Sequence, residues 1–529
     1  MLGAKRLLLG QRAKADCGRS VSCSVALWIV TSVLAFLLIP AVCLAEELAL
    51  EKRGTDRAYF TYDGKPLLSF GGLSDFIFYA SEDSYDYKLW ADWAQEHGIN
   101  HVRAYPPLSW KHIEKFVTEN GGTLENALFP YQEVSPGSRQ FDLTRFDAAY
   151  WRYFRRKCEY LNSKGIIVHL LMWNGWQLRA ADTPGRDQSS VDWNGHFFNP
   201  ANNVNGFTDH LGGTLKNRFK IYHSVADGLA ALAAAQANWF GKLIEVTADL
   251  GNVYYDLVHE LAEHQGHWGK TQQWIDAMVG AIRDRWSTLR IRRQLIIGMD
   301  AGGLQSSQRE WIFTRPYFNL LIYGKRHHFD QAVKWRITYR KPYIPQESWD
   351  DDGIKYSYIH PEQRVHSRKY MWKFLMAKCQ QMDLYMKRRP GFSSQGLPRF
   401  PHNYDPRGRN PFEDDAVVLR KFWEGLVDYP NLWFTGKVEA GTDAQRYLLS
   451  SPREALLYLC SATGKEGVAF GPQRVKLTDL PLAGRSDYTI DIIDPKANGV
   501  KRSYQKSIEA GKIEIDLPPF VDDMAVHIH

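Results

Sequence analysis

Short apolar runs alternate with amphipathic stretches along most of this chain. Residues 67–71 (LLSFG) are the first run, followed by a helical pattern through Trp90, Trp93, Ala94 and His97 that stops at Gly98. Residues 99–105 (INHVRAY) come next. A helix with Phe146, Tyr150, Tyr153 and Leu161 on one face then leads through Gly165 into residues 166–173 (IIVHLLMW). Another helix starts near Ser224, keeps Leu229, Leu232, Phe240, Leu243 and Val246 on one face, and ends at Gly251 before residues 253–260 (VYYDLVHE). Residues 294–299 (QLIIGM), 318–323 (FNLLIY), 342–346 (PYIPQ) and, faintly, 382–386 (MDLYM) complete the series. Such alternation predicts parallel βαβ units. Eight of them suit an α/β fold of the (β/α)8 TIM-barrel type better than an open sheet. No Gly-rich fingerprint follows the first run, which argues against dinucleotide binding.

The pattern changes near residue 436. Short alternating runs at 446–449, 455–460, 475–477, 488–493, 512–517 and 524–528 are separated by turn signals such as Asn498-Gly499 and Pro518-Pro519. They predict a small antiparallel β-sandwich. The expected division is a leader at 1–45, a barrel at 46–435 and a sandwich at 436–529.

The leader changes the picture of the compartment. Residues 25–44 are apolar, behind a basic stretch and ahead of Glu46-Glu47, with small residues at Cys43 and Ala45. That is a signal-peptide layout. The run is also long enough for an uncleaved anchor, but Pro40 and the acidic flank favour cleavage, and the rest is expected to be secreted or periplasmic. Beyond the leader, 61 basic residues face 58 acidic ones, which is no electrostatic footprint for nucleic acid. Cys158, Cys379 and Cys460 are too few and too distant for a disulfide framework or a metal knot. With 18 Trp, 27 Tyr and 26 Phe, the chain is rich in flat apolar faces that suit sugars as well as a large core.

In a barrel of this type the reactive residues end the strands. Glu260 ends the fourth run and Glu347 follows the seventh. Strands four and seven face each other across the barrel mouth. Two carboxyl groups about 5–5.5 Å apart there are what a retaining glycosidase uses, one as nucleophile and one as acid then base.

Residues 98–106 (GINHVRAYP), 165–173, 251–260 (GNVYYDLVHE) and 341–349 (KPYIPQESW) resemble, in order and spacing, the cellulase-like clan of barrel glycoside hydrolases. The likeness covers roughly residues 60–435, and the C-terminal part resembles the β-sandwich often appended to such barrels. It implies Glu260 as acid/base, Glu347 as nucleophile, Arg103 as the arginine that steadies the nucleophile, and Tyr323 as an aromatic hydroxyl near it. The position before the acid/base is usually Asn, which binds the sugar 2-hydroxyl, whereas here it is His259. Imidazole can still donate a hydrogen bond, and some mannanase-type members carry it.

The loop after the third strand runs from Asn174 to about His223, and loops of that size are often functional. Asn174 is a further substrate-binding candidate. Trp176, Trp193, Phe197 and Phe198 lie in the loop, and Trp173 and Trp349, at neighbouring strand ends, are the preferred sugar platforms. The run His259-Glu260-Leu261-Ala262-Glu263-His264 superficially suggests a zinc protease, but its histidines are five apart rather than four. Glu260, Glu263, His264 and His267 could share a helical face; still, no metal and no cofactor is expected. Asp350-Asp351-Asp352 reads as a solvated loop.

The expected function is an exported retaining glycoside hydrolase acting on a carbohydrate, with no nucleic-acid partner. The alternatives are a non-catalytic carbohydrate-binding protein on the same barrel and an exported metallohydrolase. The β-module, with acidic residues such as Asp487 and Asp522 read as exposed, is expected to supply no catalytic group. N-terminal sequencing of the exported protein should find a start near Glu46. Recovery of intact Met1 in a membrane-bound form would mean an anchor instead.

Overall fold

The computed structural model describes residues 47–529, apart from residues 54–56, 74, 79–86, 97, 120–121, 179–192, 262–266, 324–328, 347–363, 385–390, 393–397, 400–410, 441–442, 463–465, 484, 486 and 498. The leader therefore lies outside the described residues. Among those described, no helix is long and apolar enough to cross a membrane. Glu46–His529 form one compact unit.

Eight parallel strands lie where the eight apolar runs are: β1 (Ser69–Leu73), β2 (His101–Ala104), β3 (Ile167–Leu171), β4 (Val253–Asp256), β5 (Ile297–Gly298), β6 (Leu321–Tyr323), β7 (Tyr343–Pro345) and β8 (Gln381–Leu384). Strands β8-β1-β2-β3-β4-β5 are hydrogen-bonded in that order, and β6 pairs with β7. A parallel bridge between Asp300 and Ile322 joins the end of β5 to β6. A Cβ on Gly71 would come within 1.8 Å of the His101 carbonyl oxygen, so only glycine lets β1 approach β2 this closely.

The sheet is curled. In a flat sheet β4 and β7 would be about 14 Å apart, three strand spacings. Instead the Gln346 amide, just past β7, donates to Asp256 of β4 at 2.8 Å. The Tyr254 hydroxyl of β4 likewise donates to Gln381 of β8. An N-terminal hairpin, Leu48–Arg53 with Arg57–Tyr62, packs Leu48 and Phe60 against Ile167, Tyr254, Ile296, Leu320 and Ile344.

Helices fill the crossovers. Helix α1 (Ala148–Ser163) starts where the Asp147 carboxylate accepts the amides of Ala149 and Tyr150, and it buries Tyr150, Trp151, Phe154, Cys158 and Leu161 at helical spacing. Helix α2 (Ala230–Thr247) begins six residues later than the apolar periodicity predicts, because Gly228 takes φ +70° and interrupts the stretch after Ser224.

The C-terminal region is β-rich. Strands β9 (Lys437–Ala440), β10 (Gln445–Ser450), β11 (Ala455–Cys460), β12 (Gln473–Thr478), β13 (Asp487–Asp494), β14 (Gly499–Ser507), β15 (Ile513–Leu517) and β16 (Asp523–Ile528) form two antiparallel sheets. Their orders are β9-β12-β15 and β10-β11-β16-β13-β14. Leu457, Leu459, Val475, Leu477, Ile490, Ile515 and Val526 make a core common to both sheets. Alternate residues on the other face of β11 (Leu456, Tyr458, Cys460) join the large core instead. There Tyr458 stacks on Trp372 of α3 (Arg364–Met376), with centroids 5.2 Å apart and planes 10° apart. Strand β14 is missing from the sequence expectation because it is polar and largely exposed, with no apolar alternation. Asp487 is exposed as expected, but Asp522 is not: it is fully buried and accepts the Val468 amide.

Arg368 of α3 and Asp523 of β16 form a buried ion pair at 2.8 Å, and the Tyr458 hydroxyl also donates to Asp523. Asp523→Ala would leave that guanidinium buried without its charge partner, at a cost of about 3–5 kcal/mol. Thermal unfolding should show a midpoint several degrees lower; an unchanged midpoint would contradict the role given to the pair.

Candidate active site

The strand ends converge on Gln346, which is fully buried. Its amide nitrogen lies 2.8 Å from the Asp256 carboxylate and 3.2 Å from His169 Nε2. Its carbonyl oxygen accepts from Arg103 Nη1 at a long 3.5 Å and lies 3.0 Å from His259 Nδ1. Strands β2, β3, β4 and β7 are thus tied together by one side chain.

His259 continues β4 beyond Asp256. Its amide donates to the Trp173 carbonyl and its carbonyl accepts from Gly175, both at 2.9 Å, so Asn174 and His259 pair in parallel above β3 and β4. The next residue, Glu260, has φ +52°, a left-handed conformation uncommon outside glycine and typical of functional sites. Its amide is held by the Asp300 carboxylate at 3.2 Å, and Asp300 Oδ2 also lies 3.3 Å from His259 Nδ1. A Cβ on Gly175 would lie 2.7 Å from the Glu260 carbonyl oxygen, so the turn after β3 must pass there as glycine.

Burial governs the charges. His169 is pushed well below the usual imidazole range, chiefly by desolvation and then by His101 and Arg103. Desolvation, reinforced by the charge of Asp300, pushes the Asp256 carboxyl up to about 7. Burial opposes ionisation of Asp300 too, but the hydrogen bond and charge of His259 and the amides of Gly302 and Glu260 outweigh it and hold Asp300 below the ordinary carboxyl range. Below about pH 7 Asp256 therefore holds its proton while Asp300 is charged.

Of the predicted site residues, Arg103, Asn174, His259 and Glu260 come together here. Tyr323 ends β6, half-buried, with the Arg309 guanidinium 5.7 Å from its ring centroid. Glu347, Trp349 and the Asp350-Asp351-Asp352 run lie outside the described residues. Trp173 is a packing residue rather than a presented platform: its ring is fully buried between Phe198 and Phe240. Trp193, Phe197 and Phe198 are buried as well. Trp176 is only partly buried, and it stacks on His112 at 5.8 Å. Among the described residues no three His, Cys, Asp or Glu side chains are grouped to hold a metal ion; Glu263 and His264 lie outside them. The sequence reading missed Gln346, Asp256, Asp300 and His169. Its one available signal was a polar residue inside an apolar strand, as in VYYDLVH, since such a residue has to be paired.

No protein-family model and no curated protein matches the sequence. Solved structures do. A glycoside hydrolase of family 5 from Bacteroides vulgatus superimposes with a TM-score of 0.52 at 12% identity, over 91% of this chain and 93% of that one. Another glycoside hydrolase gives 0.54 at 11% identity, over 92% and 97%. A second Bacteroides vulgatus protein gives 0.56 at 13% identity, over 92% and 82%. The fold is that of these hydrolases.

The raised Asp256 carboxyl has a consequence for stability. The folded protein keeps that proton up to about pH 7, whereas the unfolded chain releases it near 4. Its contribution therefore falls as pH rises from about 4 to about 7 and is level above. Thermal midpoints of wild type minus Asp256→Asn should decline across that window. A difference that rises with pH would contradict the assignment.

Proposed function

We propose that the protein is an exported glycoside hydrolase that cleaves O-glycosidic bonds of an oligo- or polysaccharide with retention of configuration. Glu260 is the acid/base and Glu347 the nucleophile, in a closed (β/α)8 barrel over residues 46–435 with an appended β-sandwich at 436–529. Export is read from the apolar run at 25–44.

The observation that carries the reading is the junction of β4 and β7. Glu260 leaves β4 at φ +52° beside His259, and His259 is hydrogen-bonded to Gln346 at 3.0 Å. Glu347 is the next residue of the chain. A fold shared with glycoside hydrolases supports the same chemistry. In that chemistry Glu260 protonates the leaving oxygen while Glu347 attacks the anomeric carbon; Glu260 then takes a proton from a water whose oxygen attacks the same carbon, breaking its bond to Glu347 and freeing the sugar. Arg103, reaching Gln346 from β2, brings positive charge to the strand that carries the nucleophile.

Two variants test the assignment. Glu347→Ala removes the atom that forms the covalent intermediate, so turnover should fall by about a thousandfold or more on every substrate. Glu260→Ala should cost about 10²–10⁴-fold on a glycoside whose leaving group needs a proton. On an activated aryl glycoside it should cost far less in kcat/KM, which reads the first step. Added azide should restore turnover in the Glu260→Ala variant and give a glycosyl azide of retained configuration. Full activity in either variant removes that residue from the site, and an inverted first product from the wild type rules out the retaining mechanism.

A further inference from the structure

We propose that Asp300 is a positioning residue of this site: one carboxylate oxygen holds both the backbone amide of Glu260 and the imidazole of His259, and so fixes how the acid/base is presented. The inference rests on the reading of Glu260 as that acid/base.

Asp300 follows β5 and is buried at 1% exposure. Both of its carboxylate oxygens and its backbone amide are engaged. Oδ1 accepts the Gly302 amide at 2.7 Å, and its own amide donates to Asp256 at 3.0 Å. Oδ2 takes the Glu260 amide at 3.2 Å and lies 3.3 Å from His259 Nδ1. A carboxylate clamped on both oxygens has little freedom, and what it holds inherits that rigidity.

What it holds needs holding. Glu260 stands at φ +52°, which costs a residue with a Cβ about 1–2 kcal/mol relative to the right-handed region. A conformation of that kind persists only where the surroundings impose it. The amide of Glu260 stands at one end of the N–Cα bond about which φ is measured, and Asp300 is its acceptor.

The imidazole is fixed by the same oxygen. Gln346 has its amide nitrogen toward Asp256 and His169, so its carbonyl oxygen faces His259 Nδ1. With two oxygens before it, that of Gln346 and that of Asp300, Nδ1 carries the hydrogen. Loss of the carboxylate removes one of the two acceptors that select this tautomer. The charged and titratable groups around Asp300 are Asp256 of β4, His259 and Glu260 beyond that strand, Tyr323 of β6 and Tyr343 of β7.

Asp300→Ala and Asp300→Asn test the proposal beside Glu260→Ala, using glycosides of the sugar the wild type accepts, with poor (phenyl) and good (2,4-dinitrophenyl) leaving groups. If Asp300 aims the acid, kcat/KM for Asp300→Ala should fall about thirtyfold or more with phenyl but only about threefold with 2,4-dinitrophenyl, the same bias as Glu260→Ala in weaker form. Asp300→Asn, which keeps one acceptor oxygen, should recover part of the loss. Equal losses on both leaving groups, or none, overturn the proposal while Glu260→Ala keeps its bias; absence of bias in Glu260→Ala overturns the acid/base reading itself. A second readout needs no turnover. In protein labelled with ¹⁵N-histidine, the His259 resonances, identified by their loss in His259→Asn, should show hydrogen on Nδ1 in the wild type and a changed tautomer balance in Asp300→Asn. Unchanged His259 resonances would overturn the claim.

Discussion

One buried amide organises the rest of this structure. Gln346 offers two hydrogens to Asp256 and His169, and one oxygen to Arg103 and His259. A primary amide is suited to this because it donates and accepts in one plane without carrying charge. It therefore ties β2, β3 and β4 to β7 without adding to the charge already present in Asp300, and its oxygen faces His259 Nδ1 at 3.0 Å. Buried polar networks of this kind are costly if half-satisfied and rigid if complete. The contacts of Gln346 fall directly before Glu347 in the chain and directly against the residue before Glu260.

A second constraint acts from outside. The central strands β11 and β16 of the five-stranded C-terminal sheet are buried on both faces, packed into the core shared with the partner sheet on one side and into the large core with the helices on the other. The Arg368–Asp523 pair and the Trp372–Tyr458 stack lie in that second interface. Helix α3 follows β7 in the chain and precedes β8, so the β-rich region braces the part of the fold from which the proposed nucleophile comes.

The fold was legible because its signal is coarse. Each of the eight parallel strands is an apolar run bounded by glycine or a polar turn, and burial on both faces makes such runs nearly continuous. The polar C-terminal strand Gly499–Ser507 escaped because an exposed edge strand needs no apolar face. The site was legible only along the chain. Arg103, His259 and Glu260 stand at strand ends, where the architecture itself points to them. Asp256, Asp300 and Gln346 matter through partners 40 to 243 residues away, and a single sequence carries no sign of those pairings. Trp173 misled for a related reason: the residue beyond a strand end can turn toward the helical layer as readily as toward the mouth, and it packs on Phe240 of α2.

The central claim is that Glu347 forms a covalent bond to the sugar while Glu260 manages its proton. It is met most directly by trapping. Incubation with a panel of 2-deoxy-2-fluoro glycosides bearing a good leaving group slows both steps and lets the intermediate accumulate, and peptide mapping by mass spectrometry locates the bond. The account predicts one added sugar per chain, on Glu347 within the peptide that contains Gln346 and Trp349. A label on any other residue would contradict it, as would steady turnover of these reagents with release of an inverted product and no labelled enzyme.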